Sequence, residues 1–265
     1  MALVCVASPK GGVGKTSLVA GLAHGMRALG FQVVVIDFDI QNALRLHFGM
    51  PLSDLRGFVS GALSHDDWSH LVLTAPGGVR LLPYGDVTAA QRQAFDAALR
   101  ERDFLATRLA PLIAEPGTIV IADLPPGPSV ELNAVASLAQ LRLTVLMPDA
   151  ASAALLPRID QGRLYPEQTP PDSRHFFVIN QVDPRRRLNS DIVDFMQRRY
   201  GDEVLALIYR DEAVPEANAS QRSVFDYAPG ARAARDLQVC GRKVLGALAE
   251  MQNSGIELSY PSASG

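Results

Sequence analysis

The chain is short of cysteine, of net charge and of long apolar runs, and each shortage excludes something. Its 265 residues hold only two cysteines, Cys5 and Cys240. They have neither metal-ligand spacing nor the company a disulfide framework needs, so a reducing cytoplasm is the expectation. Lysine and arginine total 25 against 28 acidic residues, a net charge of −3, which does not suit a protein that coats nucleic acid through bulk charge. No apolar run approaches the roughly 20 residues of a spanning helix. Ala134 to Met147 comes nearest, and Gln140 and Arg142 interrupt it. The first residues lack the basic start and small-residue cleavage site of a signal peptide. The last ten, Ile256 to Gly265, hold one acid, no base and Pro261, so direct membrane insertion through a basic amphipathic tail is not expected.

What is present is a repeated alternation of strand and helix in a chain that is 48% hydrophobic. Apolar, β-branched runs at 3–7, 31–36, 79–83, 118–122, 141–147, 175–179 and 204–208 read as strands, and their continuous character suits parallel strands buried on both faces. Between them, helical spacing recurs at 18–29, at 88–115 with a break near Asp103, at 151–161, 190–200, 213–219 and 231–251. Residues 51–78 are less regular; Leu52, Leu55, Val59 and Leu63 suggest a short helix. The expected fold is α/β, a mostly parallel twisted sheet of about seven or eight strands covered by helices on both faces. A single domain over 1–251 with a flexible tail over 252–265 is expected.

The chemistry concentrates in Ser8-Pro9-Lys10-Gly11-Gly12-Val13-Gly14-Lys15-Thr16-Ser17, placed between the first strand and the first helix. Glycines let successive backbone N–H groups curl toward phosphates, and the helix N-terminus adds a favourable dipole. Gly11, Gly12, Val13 and Gly14 would form the cradle. Lys15 would reach the β- and γ-phosphates, Thr16 would ligate Mg²⁺, and Ser17 would continue the nucleotide-binding turn. Pro9 stands where the usual formula has its first glycine. Asp123 closes an apolar strand as the Walker B carboxylate that holds the metal, and Asp37 and Asp39 close another at the strand ends where open α/β sheets bind ligands.

The run Lys10-Gly11-Gly12-Val13-Gly14-Lys15-Thr16 resembles the deviant phosphate loop of the MinD/ParA family of dimeric ATPases, P-loop NTPases of the SIMIBI class. Asp37-Phe38-Asp39 and Asp123-Leu124-Pro125-Pro126-Gly127 resemble that family's two switch segments. The resemblance implies that Asp39 positions the hydrolytic water, that Asp37 supports the metal, and that Gly127 senses the γ-phosphate through its N–H. It implies that Lys10 reaches across a homodimer to the partner's phosphates, sandwiching two ATP molecules. Asn180 matches the adenine-contacting asparagine, whose amide offers the donor and acceptor that adenine requires. Arg210 and Asp211 fall where the family lines its adenine pocket, although Tyr209 replaces the usual proline there. ATP and Mg²⁺ are therefore the expected cofactors, and slow, partner-stimulated hydrolysis the expected activity.

Three further passages, Ala43 to Leu46, Leu81 to Gly85 and Tyr209 to Ala213, resemble the ATPases of bacterial cellulose-secretion operons. That likeness implies a protein partner in a cellulose secretion complex, with recruitment to the inner membrane through it. Two alternatives stay open: a positioning ATPase for DNA partitioning or cell division, and an ATP-dependent scaffold with negligible turnover. Arg185-Arg186-Arg187 with Arg198 and Arg199 is the candidate nucleic-acid patch, its other reading being a solvated surface.

Overall fold

The computed structural model describes residues 2–166 and 169–253. The expected flexible tail falls outside them from residue 254 on, while its first two residues prolong the final helix.

Eight strands form one sheet in the order β3-β4-β2-β5-β1-β6-β7-β8. They are β1 (Ala2–Ala7), β2 (Gln32–Asp37), β3 (Leu73–Thr74), β4 (Arg80–Leu82), β5 (Thr118–Asp123), β6 (Leu141–Leu146), β7 (Arg174–Val182) and β8 (Val204–Tyr209). Only the β3–β4 pairing is antiparallel. A parallel sheet needs both faces covered because its crossovers are helical, and the pattern agrees: all six residues of β1 and of β5 are buried.

One face carries α1 (Lys15–Ala28), α8 (Ala213–Ala219), α9 (Val224–Tyr227) and α10 (Arg232–Asn253), which pack on Val4, Val6, Val35 and Leu143. The other carries α2 (Ala89–Ala98), α3 (Phe104–Ala114), α4 (Val130–Ala136), α5 (Ala150–Ala153), α6 (Leu156–Asp160) and α7 (Arg187–Tyr200). Its core includes Leu3, Ile36, Val120 and the aromatic group Phe58, Trp68 and Phe95. The break expected near Asp103 separates α2 from α3, and the segment expected over 151–161 divides into α5 and α6.

The helix expected over 52–63 does not form. After a 3-10 turn at Leu44–Phe48 the chain runs as an irregular loop. The buried Arg45 guanidinium donates to the carbonyls of Pro51 at 2.8 Å and Leu52 at 3.3 Å. Backbone bonds from Phe58 to Pro83 and from Asp86 to Leu55 clasp the loop to the exit of β4. That clasp requires glycine at both Gly57 and Gly85, since a Cβ on either would occupy the other's backbone. Phe58 and Val59 turn inward while Leu52 stays 70% exposed.

Candidate functional site

The C-terminal ends of β1, β2, β5, β6 and β7 converge at one edge, and the phosphate-loop sequence occupies the turn from β1 into α1. Gly14, at φ 80°, caps α1 in the left-handed region. A side chain there would also strike the Asn180 amide, so glycine is required twice over. Lys15 opens α1, is 7% exposed and forms an ion pair with Asp123. Thr16 and Ser17 follow on the first turn, where the Ser17 hydroxyl accepts from Asn218 Nδ2 at 3.1 Å.

Three donors expected to meet a phosphate already have an internal acceptor. Lys15 holds Asp123. Lys10 Nζ donates to both oxygens of Asp149, at 2.9 and 2.7 Å. The Gly127 N–H donates to the Ser8 carbonyl at 2.8 Å. Burial opposes ionisation of Asp149, but hydrogen bonds from Lys10 and Ser152 hold its carboxyl below the usual value.

Strand register brings the carboxylates together. Asp37 and Asp123 are direct partners across β2 and β5, 1% and 0% exposed, in an arrangement where like charges repel. Burial, with the Asp123 charge behind it, pushes the Asp37 carboxyl up to about 8, against the backbone N–H groups of Asp39 and Leu44 that bond to it at 2.9 and 3.0 Å. Asp123 Oδ2 is buried with no hydrogen-bond partner. Two buried carboxyls, one with an orphaned oxygen, offer oxygen ligands of the kind a hard divalent cation takes. Asp39 lies just outside, half-buried, its Oδ1 accepting from the Gln41 N–H at 2.9 Å.

Beside the loop lies a pocket of about 280 Å³ bounded by Gly14, Ser17, Asn180, Tyr209, Arg210, Asp211 and Asn218. Asn180 lies inside β7 rather than at its end. The register slips between Ile179 and Val182 against β8, and Gln181 takes a φ of 57°, a bulge of the kind that re-aims a side chain. Asn180 Nδ2 donates to the Val13 carbonyl at 2.8 Å, joining pocket to loop.

Arg210 and Asp211 line this pocket but spend their side chains elsewhere. Arg210 pairs with Glu212 at 3.1 Å. Asp211 accepts from the N–H groups of Ala213 at 3.0 Å and Ala233 at 3.1 Å, capping α8 and α10. Tyr209 uses an N–H that proline lacks, donating to Asp236 at 3.0 Å. Sequence reasoning missed Asp149 and Asn218. Asp149 carried a faint signal as a carboxylate ending a buried strand; Asn218 carried none.

The family model described as "Cellulose biosynthesis protein BcsQ" matches residues 1–245. A Cellulose biosynthesis protein BcsQ from Salmonella typhimurium is 29% identical, covering 89% of this chain and 91% of its own. One from Escherichia coli K12 is 27% identical over the whole of both chains. Among solved structures, the septum site-determining protein MinD with Mg-ADP from Pyrococcus horikoshii superposes with a TM-score of 0.69 at 17% identity, covering 94% of this chain and 98% of that one. The fold is that of the MinD/ParA P-loop ATPases.

Proposed function

We propose, since the chain belongs to the BcsQ family of cellulose biosynthesis proteins, that it is an ATP-dependent dimerising ATPase that governs assembly or localisation of a cellulose secretion complex. The observation that carries this reading is the convergence of two lysines and two opposed carboxylates on one glycine loop. An incoming triphosphate competes with Asp123 for Lys15 and gathers the N–H groups of residues 11–16. Thr16, Asp37 and Asp123 would hold Mg²⁺, which supplies positive charge to the β- and γ-phosphate oxygens. Asp39 orients the water that attacks the γ-phosphorus, giving ADP and phosphate.

The γ-phosphate draws the Gly127 N–H from the Ser8 carbonyl, so residues 124–129 move with nucleotide state. Lys10 exchanges Asp149 for the phosphates of a second copy, which ties hydrolysis to the dimer. Turnover is slow until a protein partner completes the site. Among the described residues no helix is long and apolar enough to cross a membrane, and recruitment to the inner membrane from the cytoplasm would run through that partner. The DNA-partitioning alternative is less favoured because its arginines have acidic neighbours: Arg185 and Arg186 face Asp183, Arg187 faces Asp191, Arg198 faces Asp194 and Arg199 faces Asp160. Five arginines share four aspartates and leave little field for a phosphate backbone.

The test is size by light scattering with ATP, ADP and no nucleotide. ATP should shift the protein from monomer to dimer. Lys10→Ala should bind ATP within about threefold of the parent yet remain monomeric, a split that follows if the lysine acts across the interface. Equal loss of binding and dimerisation would place Lys10 in its own site instead. A dimer lifetime and turnover indifferent to Asp39→Ala would favour the scaffold reading.

A further inference from the structure

The base-side pocket is joined to the segment that carries the switch aspartates by a half-buried polar junction. Asn218 on α8 forms a wall of that pocket and a wall of a small cavity of about 20 Å³ shared with His24 and His47. Its amide donates to Ser17 Oγ at 3.1 Å and faces the His47 imidazole. His47 belongs to the 3-10 turn Leu44–Phe48, whose Leu44 N–H is bonded to Asp37 at 3.0 Å. A second tie runs parallel: Gln221, held at φ 50°, donates from Nε2 to the Met50 carbonyl at 2.9 Å.

Nothing in packing alone asks for polar side chains here. Around them lie Leu18, Ala20, Val224 and Leu237, all part of an apolar core, and the polar atoms shielded from water there cost free energy unless they are bonded. The junction is also incompletely satisfied, since His24 Nε2 is buried without a partner against a void large enough for one water. A network so balanced can exchange partners for a small displacement.

We propose that Asn218 is a positioning residue that transmits occupancy of the nucleoside pocket, through His47, to the turn anchoring Asp37, whose carboxyl in turn accepts from the Asp39 N–H. A base and ribose seated against Asn218 press its amide toward Ser17 and His47, and the turn 44–48 tightens on the Asp37 carboxylate. The idea rests on the ATP-binding reading above.

Hydrogen–deuterium exchange of the full chain with and without ATP and Mg²⁺ tests it, together with steady-state turnover. In the parent, peptides covering 8–18 and 42–50 should both gain protection. Asn218→Ala should keep the gain at 8–18 and lose at least half of it at 42–50, with turnover down at least about fivefold and KM within about threefold. Asn218→Leu, which keeps the branched shape without the amide, should do the same if the alanine variant folds poorly. Asn218→Ala with His47→Ala should be no slower than the slower single variant, because both cut one path. Unchanged protection at 42–50 in Asn218→Ala, or losses that multiply in the double variant, overturn the proposal while ATP binding stands. Absence of any protection at 8–18 in the parent overturns the ATP-binding reading, and this one with it.

Discussion

The phosphate end and the base end of the proposed nucleotide site are built on opposite plans. At the phosphate end the side chains are charged and paired in advance, Lys15 on the buried Asp123 and Lys10 on the half-buried Asp149, and the Gly127 N–H is held by Ser8. At the base end the pocket is bounded by a neutral amide, a bulged strand and an exposed pair, Arg210 and Glu212, 45% and 68% exposed. The first plan stores electrostatic energy that a ligand must displace. The second offers shape and hydrogen bonds and holds no strong internal rival. Affinity changes at the phosphate end are therefore exchanges of partners, and those at the base end are simple gains.

The largest expected effect follows from that pre-pairing. Lys15→Ala strands Asp123 opposite Asp37 with no cation between them, and breaking a buried pair on one side costs about 3–5 kcal/mol. Urea unfolding without nucleotide should register the loss. Lys15→Ala with Asp123→Asn should recover at least half of it, since the uncompensated charge is gone. Arg210→Ala at the other end should move stability by less than about 0.5 kcal/mol, the usual worth of an exposed pair. Similar losses from the two variants would erase the distinction.

The same contrast explains what could be read from sequence. Glycine spacing, two lysines and an aspartate after an apolar run are local signals, and the strand-turn-helix around residues 8–17 and the strand closing at Asp123 stand where they point. Partner choice is not local: Lys10 and Asp149 are 139 residues apart, and the opposition of Asp37 to Asp123 exists only once β2 and β5 align. The expected helix at 52–63 fails for a similar reason. Its spacing suited a helix, but Leu52, Leu55 and Leu63 remain exposed, and backbone bonds to the distant β4 exit decide the path. The two-residue β3 is too short to leave a pattern.

The carboxylate pair supplies a second, smaller test, read as a pH dependence. Because the folded Asp37 carboxyl titrates at about 8 and the unfolded one near 3.9, the folded state keeps a proton that the unfolded state releases. This contribution to stability is full below about pH 4 and declines as pH rises toward 8. Asp37→Asn cannot ionise and escapes the decline. Its stability relative to the parent should climb steadily between pH 5 and 8, measured by urea unfolding without Mg²⁺. With ATP and Mg²⁺ the order should reverse, because a bound cation favours the carboxylate. A pH-independent difference would remove Asp37 from the charged cluster.

The smallest effect belongs to the base end, where Asn180 joins pocket to loop through its bond to the Val13 carbonyl. If its amide also reads adenine, Asn180→Ala should shrink the preference for ATP over GTP by about fivefold to tenfold, the worth of one neutral hydrogen bond. Competition by inorganic tripolyphosphate, which has no base, separates the two ends of the site. Its inhibition constant should stay within about twofold in Asn180→Ala, because the charged donors that hold it are untouched. If tripolyphosphate and ATP weaken together, the bond to Val13 is shaping the phosphate loop, and the two ends are one cooperative unit rather than two plans side by side.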